Sequence, residues 1–578
     1  MSKPASSAAS FTDLDTAVGP SGWNPLTLAT LAAVWIASVC NWPLWRAMSA
    51  LPELSSVRGA LFMVAFGGVI AGATLMLLAL FAWSRSIKLT IAVFFISAAL
   101  CAHFMGSYGV VIDPTMMLNV VQTDVRETRD LVGWPMLFSV LGLAVVPLLV
   151  LWRMPVKPLK FSAQLGRNLL AMLLMCVLIV GLLLASFADL SSTMRNHKSM
   201  RYLINPLNAY FGLAVIAVQA NAKPKGPPQA IGTNAAVLRA AGAKPPLLLL
   251  VIGETARADH FSLNGYARQN NPELEALGVT SFRDVTSCGT NTAASLPCMF
   301  SHLGKRDFEA RELDHENLLD VLQRAGLAVL WLDNQSGCKG LCARVPSAYA
   351  SVPASPSRPL PVGLCAGGEC LDAALTFDLE TRLAALPESR RAQGVVIVLH
   401  QMGSHGPAYF KRSPPGRKPY LPECTNSALQ QCESASLINA YDNSIAYTDH
   451  VLAASIAWLK ANGKGFDAQM LYVSDHGESL GENNLYLHGL PYALAPRAQK
   501  HVPLIFWQAE GDGAIDASPS MPNAYVANTY LPKACLNGLI NAPLTHDNLF
   551  HTVLGLVSVS ATEYRKPLDA FAACRSPR

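Results

Sequence analysis

Charged residues are scarce in this sequence. Asp, Glu, Lys and Arg together make up 14% of the 578 residues, and the formal net charge is +5. There is no dense Lys/Arg tract and no aromatic platform, the features by which nucleic-acid-binding proteins are recognised. The composition therefore predicts that nucleic acid is not a partner.

The sequence also lacks any C-x-x-C pair, which structural zinc sites usually contain in duplicate. Three of the 13 cysteines lie inside apolar stretches, and the other ten follow them. The ten are Cys288, Cys298, Cys338, Cys342, Cys365, Cys370, Cys424, Cys432, Cys535 and Cys574. Their even number and mostly close spacing predict five disulfides, which persist in an oxidising compartment. We therefore expect the C-terminal part to lie outside the cytoplasm.

Apolar residues, 51% of the chain, are concentrated in the first 220 positions. Five stretches are long enough to cross about 30 Å of hydrocarbon as helices. They lie near residues 25–45, 59–83, 89–111, 134–152 and 168–188. Basic residues occupy the loops after the second and fourth stretches, which predicts that both loops are cytoplasmic. Five crossings then place the C-terminus outside, in agreement with the cysteines.

These patterns predict four regions. Residues 1–23 are polar and without periodicity, so we expect a cytoplasmic tail, followed by a transmembrane domain over 24–190. Residues 191–245 combine basic and aromatic residues, as an interfacial helix does, and end in a Pro/Ala/Gly-rich linker. Residues 246–578 form the remaining, external domain.

In this external domain, apolar runs alternate with helical patterns. The runs cover 247–252, 327–332, 395–399, 470–473 and 502–507, and the helical patterns cover 316–325, 371–386 and 434–461. This alternation predicts an α/β domain with a largely parallel sheet.

The first of these runs ends in a carboxylate, Glu254, where a buried parallel strand presents polar groups. About forty residues later, Thr290 and Thr292 lie between Cys288 and Cys298. A disulfide there could hold the segment rigid. The residues alone allow either threonine to be a nucleophile.

Three other runs also precede acids or imidazoles. They are followed by Asp333 and Asn334, by His400, Ser404 and His405, and by Asp475 and His476. Ligands bind at the carboxyl ends of strands in such folds, so we expect these groups to converge. With His488 and a threonine hydroxyl they offer nitrogen and oxygen ligands, a set that suits zinc and leaves a position for substrate. The chemistry indicated is phosphoryl transfer or ester cleavage.

Between the third and fourth apolar stretches, Asn119, Thr123 and Glu127 recur every four residues. A helix would place them on one face, just outside the bilayer and near the head groups. The spacing fits an ordinary solvated face as well as a substrate-binding one.

Four motifs resemble those of a known family: IGETARADHFSLNGY, SCGTNTAASLPCMFS, GSHGP, and SDHGESLGEN with LHGLPYALAP. The chain resembles, over essentially its whole length, the phosphoethanolamine transferases that modify lipid A, which include the mobile colistin-resistance enzymes. This resemblance implies an N-terminal five-helix transmembrane domain and an α/β/α catalytic domain of the alkaline phosphatase/sulfatase type.

The resemblance also implies roles for individual residues. The nucleophile would be Thr292, and the ligands of one or two zinc ions would include Glu254, Thr292, Asp475 and His476. The substrate-binding residues would be His405, His488, Lys339, Asn119, Thr123 and Glu127, of which His405 and His488 would hold the phosphoethanolamine phosphate or a second metal. The implied disulfides are Cys288–Cys298, Cys338–Cys342, Cys365–Cys370 and Cys424–Cys432, with Cys535–Cys574 as an inferred fifth. No role is assigned to Gln335.

The activity implied is transfer of phosphoethanolamine from phosphatidylethanolamine to a lipid A phosphate through a phosphothreonine intermediate, which gives polymyxin/colistin resistance. The protein would be a monomer in the bacterial inner membrane, with its catalytic domain in the periplasm. The alternative is a related envelope phosphotransferase whose acceptor is a core sugar, a glycan or a glycerol-phosphate polymer. The C-x-P-x-R segment of a sulfatase is missing. Five helices without internal symmetry, beside an intact set of ligands, argue against a sensor or transporter.

Overall fold

The computed structural model describes residues 22–123, 125–222, 226–239, 242–509 and 530–575. Two compact units are present. The first comprises the described residues up to Ala102, with Phe138–Met200 and Ile204–Pro206, and the second comprises His103–Leu137, Arg201–Leu203 and the described residues from Leu207 onward. The domain boundaries drawn from the sequence remain predictions.

The N-terminal region is built from long apolar helices. Four of them are long and apolar enough to cross a membrane: Val57–Leu80, Ile87–Tyr108, Trp134–Arg153 and Phe161–Ala185. The helices Pro25–Cys40 and Trp42–Ser49 meet at 47° and add a fifth crossing if they form one span. The bend follows a π-helical turn, Ile36–Cys40, a common cause of kinks. The described residues therefore contain four to five spans, and a count of five remains a prediction.

Shorter helices lie between the spans and after them. They are Pro114–Gln122, Val125–Leu131, Phe187–Asn196 and Leu207–Ala222. The prediction that one helix runs through Asn119, Thr123 and Glu127 is wrong, because helix Pro114–Gln122 ends before Thr123. That residue is extended (φ −70°, ψ 135°), and its hydroxyl donates to the Asn119 carbonyl at 2.8 Å. The three side chains therefore do not share one continuous helix face.

A seven-stranded sheet forms the centre of the second unit. Its strands are β1 (Pro246–Gly253), β2 (Thr280–Phe282), β3 (Ala328–Asp333), β4 (Ser347–Tyr349), β5 (Val395–His400), β6 (Asp467–Ser474) and β7 (Leu504–Gln508). The order is β2-β7-β6-β1-β5-β3-β4. The five strands from β6 to β4 are parallel, whereas β7 is antiparallel to both β6 and β2. A largely parallel sheet is therefore confirmed, with one antiparallel strand, β7, next to the edge strand β2.

Helices cover both faces of this sheet. The buried residues of β1 alternate between two cores, one on each face, and each core includes residues of helices. Leu247, Leu249 and Val251 pack in the core that includes helix Ser434–Asn462. Their neighbours Leu248, Leu250 and Ile252 pack in the core that includes helices Leu318–Arg324 and Leu549–Leu556. Burying each such side chain contributes roughly 1.5–3 kcal/mol. The remaining helices are Pro272–Ala276, Thr292–Met299, Lys305–Glu309, Leu379–Ala384, Glu388–Arg391 and Lys533–Leu539.

Candidate active site

The register of the central strands brings their polar ends together. Gly253 of β1 pairs with Ser474 of β6, and Ile252 pairs with His400 of β5. Glu254 and Asp475 each follow one of these paired positions directly. Their carboxylates therefore leave the sheet side by side, as expected for ligands at the carboxyl ends of parallel strands.

Glu254, Asp475 and His476 form a fully buried cluster. The His476 ring donates from Nδ1 to the Gly477 carbonyl at 2.9 Å, so its Nε2 is directed at the acids. That nitrogen lies 3.2 Å from Glu254 Oε1 and 3.4 Å from Asp475 Oδ2. Ligand atoms of all three residues lie within 4.8 Å of one another.

These three residues fit a metal ion. Asp475 Oδ2 is buried and has no hydrogen-bond partner among the described residues. Burial raises the pKa of Glu254, and the charge of Asp475 raises it further. Burial alone would lower the pKa of His476, but Asp475 and Glu254 together raise it. Two buried carboxylates thus require a nearby positive charge, and a mixed nitrogen and oxygen donor set is one that zinc satisfies.

Thr292 is the first residue of helix Thr292–Met299, whose end is capped by Asn291 through a 2.9 Å bond from Ala294 N–H. The Thr292 hydroxyl lies 3.0 and 3.2 Å from the two Glu254 oxygens and 3.4 Å from His476 Nε2. The positive end of the helix dipole lies at this residue and favours an anionic oxygen or phosphate.

Thr290 is oriented differently. Its hydroxyl donates to the Leu490 carbonyl at 2.6 Å, which ties it to a segment 200 residues away. The structure therefore brings only one of the two candidate threonines, Thr292, to the buried acids.

Two imidazoles lie beside the cluster. The His488 ring centroid is 4.3 Å from that of His476 and 5.6 Å from that of His405. Burial lowers the pKa of both His405 and His488. Glu478, which the sequence reasoning missed, lies 2.8 Å from His488 Nδ1 and accepts a 2.8 Å bond from the Tyr409 hydroxyl. Its place in SDHGES, two residues after a predicted ligand, was the available signal.

Of the predicted substrate-binding residues Asn119, Thr123 and Glu127, Glu127 contacts this site directly. Glu127 is buried, accepts a 2.8 Å bond from the Gln335 amide and lies 3.9 Å from His405 Nε2. Gln335, to which the sequence assigned no role, therefore lies in the site. The Lys339 ammonium donates to Ser336 Oγ at 2.8 Å and to the Gln122 carbonyl at 3.2 Å. Asn119 and Thr123 lie earlier in the same segment, bonded to each other.

The ten late cysteines form five disulfides. The pairs are Cys288–Cys298, Cys338–Cys342, Cys365–Cys370, Cys424–Cys432 and Cys535–Cys574. Cys40, Cys101 and Cys176 in the apolar helices are free. The bond between Cys288 and Cys298 brackets Thr292, so it restrains the segment that carries the candidate nucleophile.

Comparison with known proteins gives matches along most of the chain. Residues 70–220 match the phosphoethanolamine transferase EptA/EptB family, and residues 246–559 match the sulfatase family. Phosphatidylethanolamine transferase Mcr-1 of Escherichia coli is 35% identical over 94% of this chain and 96% of that protein. Phosphoethanolamine transferase EptA of Salmonella typhimurium is 36% identical over 94% and 96%. The structure of the integral membrane protein lipooligosaccharide phosphoethanolamine transferase A (EptA) from Neisseria meningitidis aligns with a TM-score of 0.84 at 30% identity, covering 95% of this chain and 99% of that one.

Proposed function

Because the chain belongs to the phosphoethanolamine transferase family, we propose that it transfers phosphoethanolamine from phosphatidylethanolamine to a phosphate of lipid A through Thr292. The names of the relatives above support a phosphatidylethanolamine donor and a lipooligosaccharide-type acceptor. The observation that carries the proposal is the Thr292 hydroxyl, 3.0 Å from a buried carboxylate at the amino end of a helix.

In the first step, Thr292 Oγ forms a bond to the phosphorus of phosphatidylethanolamine, and the bond from phosphorus to the glycerol oxygen breaks. The hydroxyl donates toward Glu254 at 3.0 Å, which places a carboxylate where it can receive the proton that Thr292 loses. Diacylglycerol leaves as an alcohol when its oxygen takes up the proton that Glu254 received from Thr292. In the second step, a phosphate oxygen of lipid A forms a bond to the same phosphorus, the bond from phosphorus to Thr292 Oγ breaks, and Thr292 Oγ takes a proton from solvent to return as a hydroxyl.

Charge on the phosphoryl oxygens is offset by donors around the site. Lys339, His405 and His488 supply N–H groups, and the amino end of helix Thr292–Met299 adds backbone N–H groups. Glu127, held by Gln335, provides a negative group that suits the ammonium end of phosphoethanolamine. The donor head group would thus lie between an acid and a set of cationic or N–H groups.

Zinc held by Glu254, Asp475 and His476 would lower the pKa of the Thr292 hydroxyl and offset charge on the phosphoryl oxygen. The donor set supports zinc over magnesium, because imidazole is a ligand preferred by transition metals. Removal of metal with a strong chelator should abolish transfer, and added zinc should restore it. Full activity after exhaustive chelation would remove the metal from the proposal.

The proposed location is the bacterial inner membrane, with the protein as a monomer whose residues 246–578 lie in the periplasm. Reporter fusions after residues 88 and 160 should behave as cytoplasmic, and one after residue 230 as external. A cytoplasmic signal at 230 would contradict the topology. Modified lipid A carries less net negative charge, so cells with the protein should bind less polymyxin and survive colistin.

Mass spectra of lipid A test the activity directly. Cells that express the wild-type protein should carry phosphoethanolamine on lipid A, and cells that express Thr292→Ala should not. If the wild-type protein instead modifies a core sugar, a glycan or a glycerol-phosphate polymer, the acceptor is wrong although the chemistry is right.

A further inference from the structure

Arg412 is a buried guanidinium with three acceptors on three different parts of the fold. It donates to the His405 carbonyl at 2.9 Å, to Glu369 Oε2 at 3.1 Å and to Asp130 Oδ2 at 2.7 Å. Its side chain is 4% exposed, and that of Asp130 is 1% exposed. The planar fork of arginine suits such simultaneous contacts, which lysine cannot reproduce.

The carboxylate of Asp130 belongs to helix Val125–Leu131, which also carries Glu127. The neighbouring Lys411 makes a second ion pair with Asp130. On the same helix, Arg129 donates to the Gly367 carbonyl at 3.0 Å. These contacts fasten the membrane-side helix to the catalytic fold next to His405.

The second acceptor, Glu369, lies in the small hairpin that the bond between Cys365 and Cys370 closes. The peptide that carries His405 is also fixed from the opposite side. Asp372 accepts the N–H groups of Met402 and Gly403, each at 2.8 Å.

The following residue, Ser404, donates its N–H to the Glu254 carbonyl at 3.0 Å. A side chain at Gly403 would meet that same carbonyl oxygen at 2.6 Å, and its φ of +54° also favours glycine. The turn is therefore rigid relative to Glu254. Arg412 joins this rigid turn to the membrane-side helix.

We propose that Arg412 and Asp130 are positioning residues that hold the Glu127 helix against the His405 turn and thereby set the affinity for the head group of the lipid donor. The proposal rests on the proposed function for the roles of Glu127 and His405. Neither positioning residue contacts Thr292 in the described structure, so the step after binding should change little. Loss of Arg412 leaves buried Asp130 with Lys411 alone, and loss of the Asp130 charge leaves Arg412 with Glu369 alone, so either change weakens the hold on the helix.

The test compares donor kinetics of the full-length protein in vesicles that contain phosphatidylethanolamine. Asp130→Asn and Arg412→Lys should raise KM for the donor about tenfold or more, with kcat within about threefold of wild type. The control is Asp569→Asn, which breaks another buried ion pair, that of Asp569 with Arg575. The Asp569 side chain is 0% exposed and the Arg575 side chain 13%. This control should leave KM unchanged.

A double-mutant cycle separates positioning from a general loss of stability. In a Glu127→Gln background, Asp130→Asn should add little further increase in KM, because its effect passes through Glu127. Fully additive effects, or an unchanged KM in Asp130→Asn, would overturn the proposal. If Asp130→Asn does not fold, Lys411→Gln replaces it with a smaller expected rise in KM, and an unchanged KM there has the same meaning. A wild-type protein that transfers nothing would instead refute the proposed function.

Discussion

Two substitutions of Thr292 test separately the proposed attacking oxygen and the methyl group that restricts its rotamer. Thr292→Ser keeps the oxygen, while the freed hydroxyl can occupy up to three staggered wells instead of one. The cost is at most RT ln 3, about 0.65 kcal/mol, or about a threefold fall in rate. Thr292 is 4% exposed, so loss of its methyl group also lowers the free energy of unfolding by about 1 kcal/mol. Thr292→Ala lacks the oxygen, and transfer should fall at least about a thousandfold.

The assay omits the acceptor, supplies phosphatidylethanolamine and measures both diacylglycerol release and the mass of the peptide that contains Thr292. Wild type and Thr292→Ser should carry one phosphoethanolamine group on that peptide. The matched control is Thr290→Ala, which loses only the bond to Leu490, about 1 kcal/mol of stability, and should still form the adduct. An adduct on Thr290, or transfer by Thr292→Ala, would refute the reasoning.

Three further outcomes are expected. Exchange of both Cys288 and Cys298 for alanine should lower the transfer rate by about 100-fold, because the segment that carries the candidate nucleophile loosens. The unfolding midpoint should change little by comparison. Burial raises the pKa of Asp449 to about 7, so the folded protein keeps a proton that the unfolded chain releases near pH 4. The free energy of unfolding of wild type, measured by chemical unfolding relative to Asp449→Asn, should therefore fall by up to about 4 kcal/mol between about pH 4 and pH 7. Glu478→Ala should weaken donor binding because it removes the group that orients the His488 ring and accepts the Tyr409 hydroxyl, and an unchanged KM would exclude that role.

The long strands of the sheet could be predicted because buried parallel strands consist of continuous apolar runs. Strands β2 and β4 have three residues each, too few for any period to show. Nor did the apolar run of β7 indicate its direction, since strand direction depends on the connections rather than on composition. The prediction of a helix through Thr123 was wrong, because the Thr123 hydroxyl bonds to the nearby Asn119 carbonyl where the helix ends.

Within the site, Glu254, Asp475 and His476 were predictable because polar groups directly after apolar runs meet at one edge of a parallel sheet. The choice between Thr290 and Thr292 was not. It depends on the carbonyl of Leu490, 200 residues from Thr290, and on which hydroxyl the helix turns toward the acids. Contacts such as those of Arg412 also depend on tertiary packing, which no spacing in the sequence shows.

Strand register determines where the buried acids and imidazoles at the strand ends lie relative to one another. The pairs Gly253 with Ser474 and Ile252 with His400 are held by backbone hydrogen bonds within fully buried strands. Loss of one carboxylate should therefore leave the remaining groups in place, because the strand pairing does not depend on that side chain. Single side chains at these strand ends can accordingly be exchanged one at a time while the backbone stays constant.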